Sequence, residues 1–324
     1  MKKYILAIIC AMLMTFTLVG CGNTENKDSE KISIVTTIFP EYDWVREIVG
    51  ENENVEITML LDNGVDLHSF QPTTEDIAKV ASCDMFIYVG GESDGWAEDA
   101  LAEATNKDMV VINLLDVLGD SVKEEELVEG MQGEEEEEEA EEEEGPEYDE
   151  HVWLSLKNAE ILCQKIEEEL EKIDTENASQ YEKNAKAYLE KLDALDQEYE
   201  DAVAAGSQKT VLFGDRFPFR YLVDDYNLDY YAAFVGCSAE SEASFETITF
   251  LANKVDELGL SSIFQIESSD GKIAETIKEN TTDQNQQILV LDSMQATTSS
   301  DVENGTTYLS VMQSNLEVLK EALK

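Results

Sequence analysis

Histidine is nearly absent from this chain of 324 residues, which contains only His68 and His151. Its five cysteines are widely spaced, so neither a CxxC zinc motif nor a disulfide framework can be read from them. Basic residues are also few, 22 against 72 acidic ones, which gives a net charge of −50. Because a polyphosphate needs a positively charged partner, this composition excludes nucleic acid and favours cations.

One catalytic signature is missing as well. The sequence has no HExxH helix, which argues against a secreted metallohydrolase, the enzyme class that would use His and carboxylate ligands to activate water. We therefore expect no enzymatic activity. A surface adhesin is a further alternative, in which an acidic loop would be the interaction surface.

The N-terminus has the features of a secretory signal. Lys2 and Lys3 precede an apolar run at residues 5–19, and the sequence LVGC at residues 18–21 ends that run with small residues before a cysteine. This arrangement is typical of a bacterial lipoprotein whose Cys21 is lipidated. We expect a signal peptide at 1–20, a polar tether at 21–31, and a location on the extracytoplasmic face of the cell membrane.

The cysteines beyond the tether give no clear functional pattern. Cys10 belongs to the signal peptide, which leaves Cys83, Cys163 and Cys237 for the folded part of the chain. Free cysteine often packs as a small apolar residue. We expect all three to be buried, small apolar residues.

Alternating strand and helix patterns occur twice along the chain. Such alternation predicts an α/β fold with two lobes, each a parallel sheet flanked by helices. The predicted N-terminal lobe covers 32–155 and the C-terminal lobe 206–324. The strand-like apolar runs lie at residues 32–35, 55–59, 85–89 and 109–113, then at 210–213, 228–232, 262–265 and 288–291.

A helical connector at 156–205 separates these lobes. It is interrupted near residues 174–177, and its second part has apolar and aromatic residues at helical spacing up to about Val203. A helix of roughly 25 residues is close to 40 Å long. We expect one long, rigid helix to join the two lobes.

One low-complexity segment, the acidic loop, places ten glutamates in the eleven positions 134–144. Repulsion between like charges should keep it extended and solvated. Exposed carboxylates bind hard cations only loosely, so the predicted role is weak attraction of cations near a binding site. The alternative is a loop that serves solubility alone.

Both histidines lie in acidic, aromatic motifs. His68 is part of DLHSFQP at residues 66–72, and His151 is part of YDEHVWLS at residues 148–155. A single histidine usually caps or packs, but neutral imidazole is also the commonest protein ligand for transition metals. Two such histidines, each with acidic neighbours, favour a metal site.

These features together resemble the zinc/manganese solute-binding lipoproteins of metal ABC transporters. The resemblance rests on the signal and Cys21, the sequence TTIFPEYD at residues 36–43, the two histidine motifs and the long helix, and it covers about 32–323. It implies two lobes that bind one metal ion in their cleft and deliver it to a membrane permease. We expect such a tethered delivery protein to be a monomer.

The family pattern also implies a set of ligands. His68 matches the first ligand and His151 the second, both from the N-terminal lobe. The usual carboxylate ligand after the last strand of the C-terminal lobe falls on Asp292.

The third family ligand does not carry over, because Gly214 occupies its position. Asp215 follows directly and could replace it, although its carboxylate could equally pair with Arg216 or cap a helix. Glu267, at the end of a neighbouring strand, is the other candidate, or it could hydrogen-bond at the lobe interface.

A site of two imidazoles and one or two carboxylates suits zinc and also manganese, since harder oxygen ligands favour manganese. The acidic loop contains glutamate where zinc-binding members often have histidines. The position of the loop and the sequence around His151 resemble the zinc branch. We therefore predict Zn²⁺ as the transported ion, with Mn²⁺ as the alternative.

Overall fold

The computed structural model describes residues 31–133, 147–238 and 242–324, and two parallel sheets organise it. The first has the strand order β2-β1-β3-β4 and the second β6-β5-β7-β8. The strands are β1 (Ile32–Thr36), β2 (Val55–Met59), β3 (Met85–Tyr88), β4 (Val110–Asn113), β5 (Thr210–Phe217), β6 (Asp229–Val235), β7 (Ser262–Ile266) and β8 (Gln287–Leu291). This confirms the predicted fold class.

Helices flank both sheets. Several begin with a side-chain cap of the kind that satisfies free backbone N–H groups, such as Ser155, whose hydroxyl accepts from the N–H of Asn158. The helices are α1 (Phe39–Val49), α2 (Thr74–Ser82), α3 (Trp96–Ala102), α4 (Leu114–Leu118), α5 (Leu156–Ile173), α6 (Ala178–Ala205), α7 (Arg220–Asp225), α8 (Phe245–Leu258), α9 (Lys272–Glu279), α10 (Ser299–Glu303) and α11 (Tyr308–Ala322). Short 3-10 helices form at Leu67–Ser69, Gly119–Ser121 and Val152–Leu154.

The predicted long helix is α6, and its 28 residues give a length of about 42 Å at 1.5 Å per residue. Near its start, the Asn184 side-chain amide donates to the carbonyl of Ile48 in α1. Near its end, the Tyr199 hydroxyl donates to the carbonyl of Met312 in α11. The helix is therefore tied both to the first sheet's layer and to the last helix of the chain.

Residues 32–324 form one compact unit that contains both sheets. In each sheet the chain places the second strand on one side of the first strand and the third strand on its other side. Ligands of open α/β sheets bind where strand order reverses in this way, at the carboxyl ends of the strands. The lobe boundaries at 155 and 205 stay a prediction.

Strand β5 is longer than the sequence pattern predicts. It runs to Phe217, and its register against β6 shifts between Phe213 and Arg216. Asp215 thus lies inside an irregular strand, whereas the apolar run at 210–213 placed it after the end of the strand. A bulge of this kind redirects side chains without ending the strand.

Gly214 has a packing role in β5. A Cβ built on it would lie 2.5 Å from the Cα of Ala274 in α9 and 2.8 Å from that residue's nitrogen. A side chain at this position would therefore meet the backbone of α9. Close approach between β5 and α9 explains the glycine.

The regions of the signal peptide and most of the tether (residues 1–30) and the acidic loop (134–144) lie outside the described residues, so the predictions for them stay predictions. Within the described part of the chain, no helix is both long and apolar enough to cross a bilayer.

Gly214→Ala should lower the free energy of unfolding by about 1–3 kcal/mol, because the added methyl overlaps the backbone of Ala274. Gly133→Ala is the matched control, since a Cβ there meets only side-chain carbons of Leu127 at 3.5 Å or more. Denaturant unfolding of both variants measures the difference. Equal stability of the two would show that β5 and α9 do not pack as described.

Candidate metal centre

His68 is positioned by the turn that follows β2. The Asp66 carboxylate caps the 3-10 helix Leu67–Ser69 and accepts from the backbone N–H of His68 at 3.0 Å. The buried side chain of Leu67 anchors the turn in the core. The imidazole of His68 is thereby held at the carboxyl edge of the first sheet.

His151 is held more tightly. One carboxylate oxygen of Asp149 accepts from its backbone N–H at 2.9 Å and lies 3.0 Å from its ring Nδ1. The ring is fully buried, and the 3-10 helix Val152–Leu154 that follows is buried as well. Trp153 in that helix donates its indole N–H to the carbonyl of Ser293, which connects this segment to the loop after β8.

The two histidines face each other through their Nε2 atoms, which are 3.1 Å apart. Two nitrogens bound to one tetrahedral zinc at about 2.0–2.1 Å are about 3.3 Å apart. The pair therefore already has nearly the spacing of two ligands on a single ion.

The outer nitrogens of both rings have partners. A carboxylate can only accept, so Nδ1 of His151 carries a hydrogen for Asp149, and in the neutral ring the Nε2 lone pair points to His68. Nδ1 of His68 lies 2.7 Å from the Ser93 hydroxyl, which can accept or donate. If the Ser93 hydroxyl accepts from Nδ1 of His68, the Nε2 lone pairs of both neutral rings point toward each other. A cation bound between them then takes the place of a shared hydrogen.

Electrostatics separate the two rings. Burial and then the charge of His151 lower the pKa of His68 to about 3. Burial also opposes charge on His151, but the Asp149 carboxylate outweighs it and raises the pKa of His151 overall. The Asp149 carboxylate therefore favours the charged form of His151, whereas burial favours the neutral form of His68.

A further acidic side chain, Glu150, lies beside the histidine pair. Glu150 is buried; its Oε1 accepts from the backbone N–H of Ser93, and its Oε2 lies 3.6 Å from Nδ1 of His68 with no hydrogen-bond partner among the described residues. Burial raises the pKa of Glu150. A cation bound to the histidines would lower the cost of keeping this carboxylate charged.

A charged contact links the two sheets beside the histidines. Arg216 in β5 donates to the Asp66 carboxylate at 2.7 Å. Although burial opposes the charge of Asp66, Arg216 and then His68 lower its pKa overall. One alternative from the sequence had the Asp215 carboxylate paired with the Arg216 side chain. That side chain pairs with Asp66 instead.

The structure places the three predicted carboxylate ligands in other contacts. Asp215 accepts from the backbone N–H groups of Arg216 and Ile266. Glu267 accepts from the N–H and hydroxyl of Ser293, and Asp292 accepts from the N–H of Met294 at 2.7 Å. Burial, with the charge of Glu267, raises the pKa of Asp292 to about 6. Their role as ligands stays a prediction.

A cysteine joins the histidines instead. His68, His151 and Cys237 form a cluster whose ligand atoms all lie within 4.8 Å of one another. Within the described ranges, it is the one such cluster of three or more His, Cys, Asp or Glu residues. The expectation that all three remaining cysteines are buried is therefore wrong for Cys237, which is partly exposed, while Cys83 and Cys163 are buried.

The position of Cys237 explains its exposure. It comes two residues after the end of β6, so it lies at the carboxyl edge of the second sheet, where open sheets bind ligands. In the sequence, this position after a strand was the feature that could have indicated Cys237 as a ligand. A cavity of about 440 Å³ opens beside it and is lined by His68, Gly91, Glu92, Ser93, Glu147, Tyr148, Glu150 and Cys237.

Comparison with known proteins gives consistent matches. The family model described as ZnuA, zinc-uptake complex component A, periplasmic, matches residues 34–322. The zinc-binding lipoprotein AdcA of Streptococcus pneumoniae serotype 4 is 31% identical over 99% of this chain, which spans 61% of that relative's length. The high-affinity zinc uptake system protein ZnuA of Bacillus subtilis is 31% identical over 95% of this chain and 94% of its own length.

A solved structure agrees in fold. The Zn(II)-bound ZnuA-like domain of Streptococcus pneumoniae AdcA superposes with a TM-score of 0.70 at 27% identity, over 90% of this chain and 99% of that domain. The likeness therefore extends over both sheets of the present structure.

Asp149→Asn should lower the pKa of His151, because the carboxylate that favours the imidazolium is removed. Metal affinity should fall by about 10–100-fold, as for other partners that orient a ligating histidine. NMR titration of the two imidazoles measures the first effect. In the unsubstituted protein, His151 should titrate above the usual value of about 6.5 and His68 should stay neutral to acidic pH; a shared, ordinary pKa would contradict the assignment.

Proposed function

Because this chain belongs to the periplasmic zinc-uptake complex component A family, we propose that it is an extracytoplasmic solute-binding protein that captures one Zn²⁺ ion between its two sheets. The observation that carries the proposal is the pair of Nε2 atoms 3.1 Å apart, each on a ring whose other nitrogen has a partner. Such oriented imidazoles are typical of metal ligands.

The other parts of the proposal follow from the family and the sequence. Lipid on Cys21 would hold the protein at the membrane, and the bound ion would pass to an ABC-transporter permease. We propose that the protein acts as a monomer and has no catalytic activity. Relatives with zinc in their names support Zn²⁺ over Mn²⁺ as the ion.

Neither alternative class gains support from the described residues. A metallohydrolase needs an activated water, and an adhesin needs a docking surface, but no observation on these residues specifically favours either role. Metal analysis of protein purified without a histidine tag, followed by calorimetric titration with zinc and manganese, tests the proposal. Failure of both ions to bind or to raise the thermal unfolding temperature would refute it.

His68→Ala and His151→Ala should each weaken zinc binding by roughly 100-fold or more, about 2.8 kcal/mol, because each removes one of few ligands. Gln71→Ala, an exposed change in the same motif as His68, is the control and should bind normally. Thermal unfolding of the metal-free variants shows whether the fold is retained. Normal affinity in a folded variant would exclude that histidine as a ligand.

Deletion of residues 134–144 should leave the stoichiometric site intact, because the histidines and Asp149 lie outside the acidic loop. Capture at low ionic strength should slow, since an exposed anionic segment attracts cations by screened Coulomb forces. Stopped-flow zinc uptake at low and high salt measures this effect. Loss of the tight site itself would mean that the loop supplies a ligand.

A further inference from the structure

Cys237 differs from the other cysteines of the folded chain in where its thiol lies. Cys83 and Cys163 are buried in the hydrophobic core, whereas Cys237 is partly exposed and lines the cavity shared with His68 and Glu150. Its backbone N–H donates to the Glu125 carboxylate at 3.2 Å, which fixes the turn after β6. Cys237 is therefore partly accessible, and the backbone that carries its side chain is held in place.

The geometry of the three ligand atoms fits one small ion. Sγ of Cys237 lies within 4.8 Å of a nitrogen of each histidine. With Zn–S of about 2.3 Å and Zn–N of about 2.0–2.1 Å, a tetrahedral site has N···S distances of about 3.6 Å. Bringing each Sγ···N separation from at most 4.8 Å to this value takes about 1.2 Å or less.

The backbone next to Cys237 lies directly against His151. A Cβ built on Gly236 would lie 2.9 Å from Cε1 of His151, so the turn packs directly on that imidazole. Glycine at this position lets the turn approach the ring, and the approach brings the cysteine with it. The contact joins Gly236, at the edge of the second sheet, to His151, which precedes α5.

We propose that Cys237 is the third protein ligand of the transported zinc ion, which makes the centre a His₂Cys site with a fourth position for water or another donor. This proposal rests on the proposed function and specifies its ligand set. The Zn–S bond forms as the thiol loses its proton to solvent, so the ion is held by a thiolate and two neutral imidazoles.

A thiolate ligand has consequences for selectivity. Soft sulfur favours zinc and disfavours manganese, which prefers carboxylate, carbonyl and water oxygens. The His₂Cys set therefore provides the zinc preference that two histidines and carboxylates alone would leave weak. It also provides a ligand from the second sheet's edge, although Gly214 offers none.

Cobalt substitution tests the thiolate directly, because Co²⁺ bound to sulfur has an intense near-ultraviolet charge-transfer band. The purified protein and its Cys163→Ala variant, which loses a buried thiol away from the site, should both show this band. Cys237→Ser and Cys237→Ala should lack it. Zinc affinity should fall at least tenfold in Cys237→Ala while manganese affinity changes by a smaller factor.

The outcomes separate this proposal from the proposed function. Stoichiometric cobalt and zinc binding without the band, and with unchanged zinc affinity in Cys237→Ala, would overturn the cysteine ligand and leave the histidine site standing. Absence of stoichiometric binding to the unsubstituted protein would overturn the proposed function itself.

A second measurement keeps the proposal testable if the Cys237 variants fail to fold. X-ray absorption at the zinc edge of the unsubstituted, zinc-loaded protein should show one sulfur at about 2.3 Å beside nitrogen at about 2.0–2.1 Å. A shell made only of nitrogen and oxygen would overturn the proposal.

Discussion

The site depends on one contact, the Asp149 carboxylate that accepts from both the backbone and the ring of His151. This contact fixes the tautomer and orientation of a fully buried imidazole, so that its Nε2 lone pair has one direction in which to point. His68 stands in that direction at 3.1 Å. This separation is a hydrogen-bond distance, and it is also close to the spacing of two nitrogens on one zinc ion.

The fold supplies the other side chains by its topology. His68 follows β2 of the first sheet and Cys237 follows β6 of the second, so two carboxyl edges of parallel strands meet at the histidine pair. The Arg216–Asp66 ion pair joins β5 to the turn that carries His68, and the Trp153–Ser293 hydrogen bond joins the segment after His151 to the loop after β8. Helix α6 is joined to α1 through Asn184 and to α11 through Tyr199.

Periodic features of the sequence were sufficient for the fold. All eight predicted strands are present, and the predicted break before the long helix lies between Ile173 and Ala178. These features are local, since a buried parallel strand and an amphipathic helix each show in a short window of residues. The two histidine motifs also end up together, which their acidic flanks and the family pattern had suggested.

The remaining details depend on contacts between distant parts of the chain. The extension of β5 to Phe217 arises from its register with β6, and Gly214 is explained by Ala274 in α9. The exposure of Cys237 follows from where β6 ends against the histidines. A cysteine reads equally well as a core residue or a ligand until that placement is known.

The most direct test of the account is anomalous diffraction at the zinc absorption edge from crystals of the zinc-loaded protein. The account predicts a single strong peak between Nε2 of His68 and Nε2 of His151, about 2.0–2.1 Å from each. A peak bound elsewhere, for example by Asp292 and Glu267 without the histidines, would contradict it.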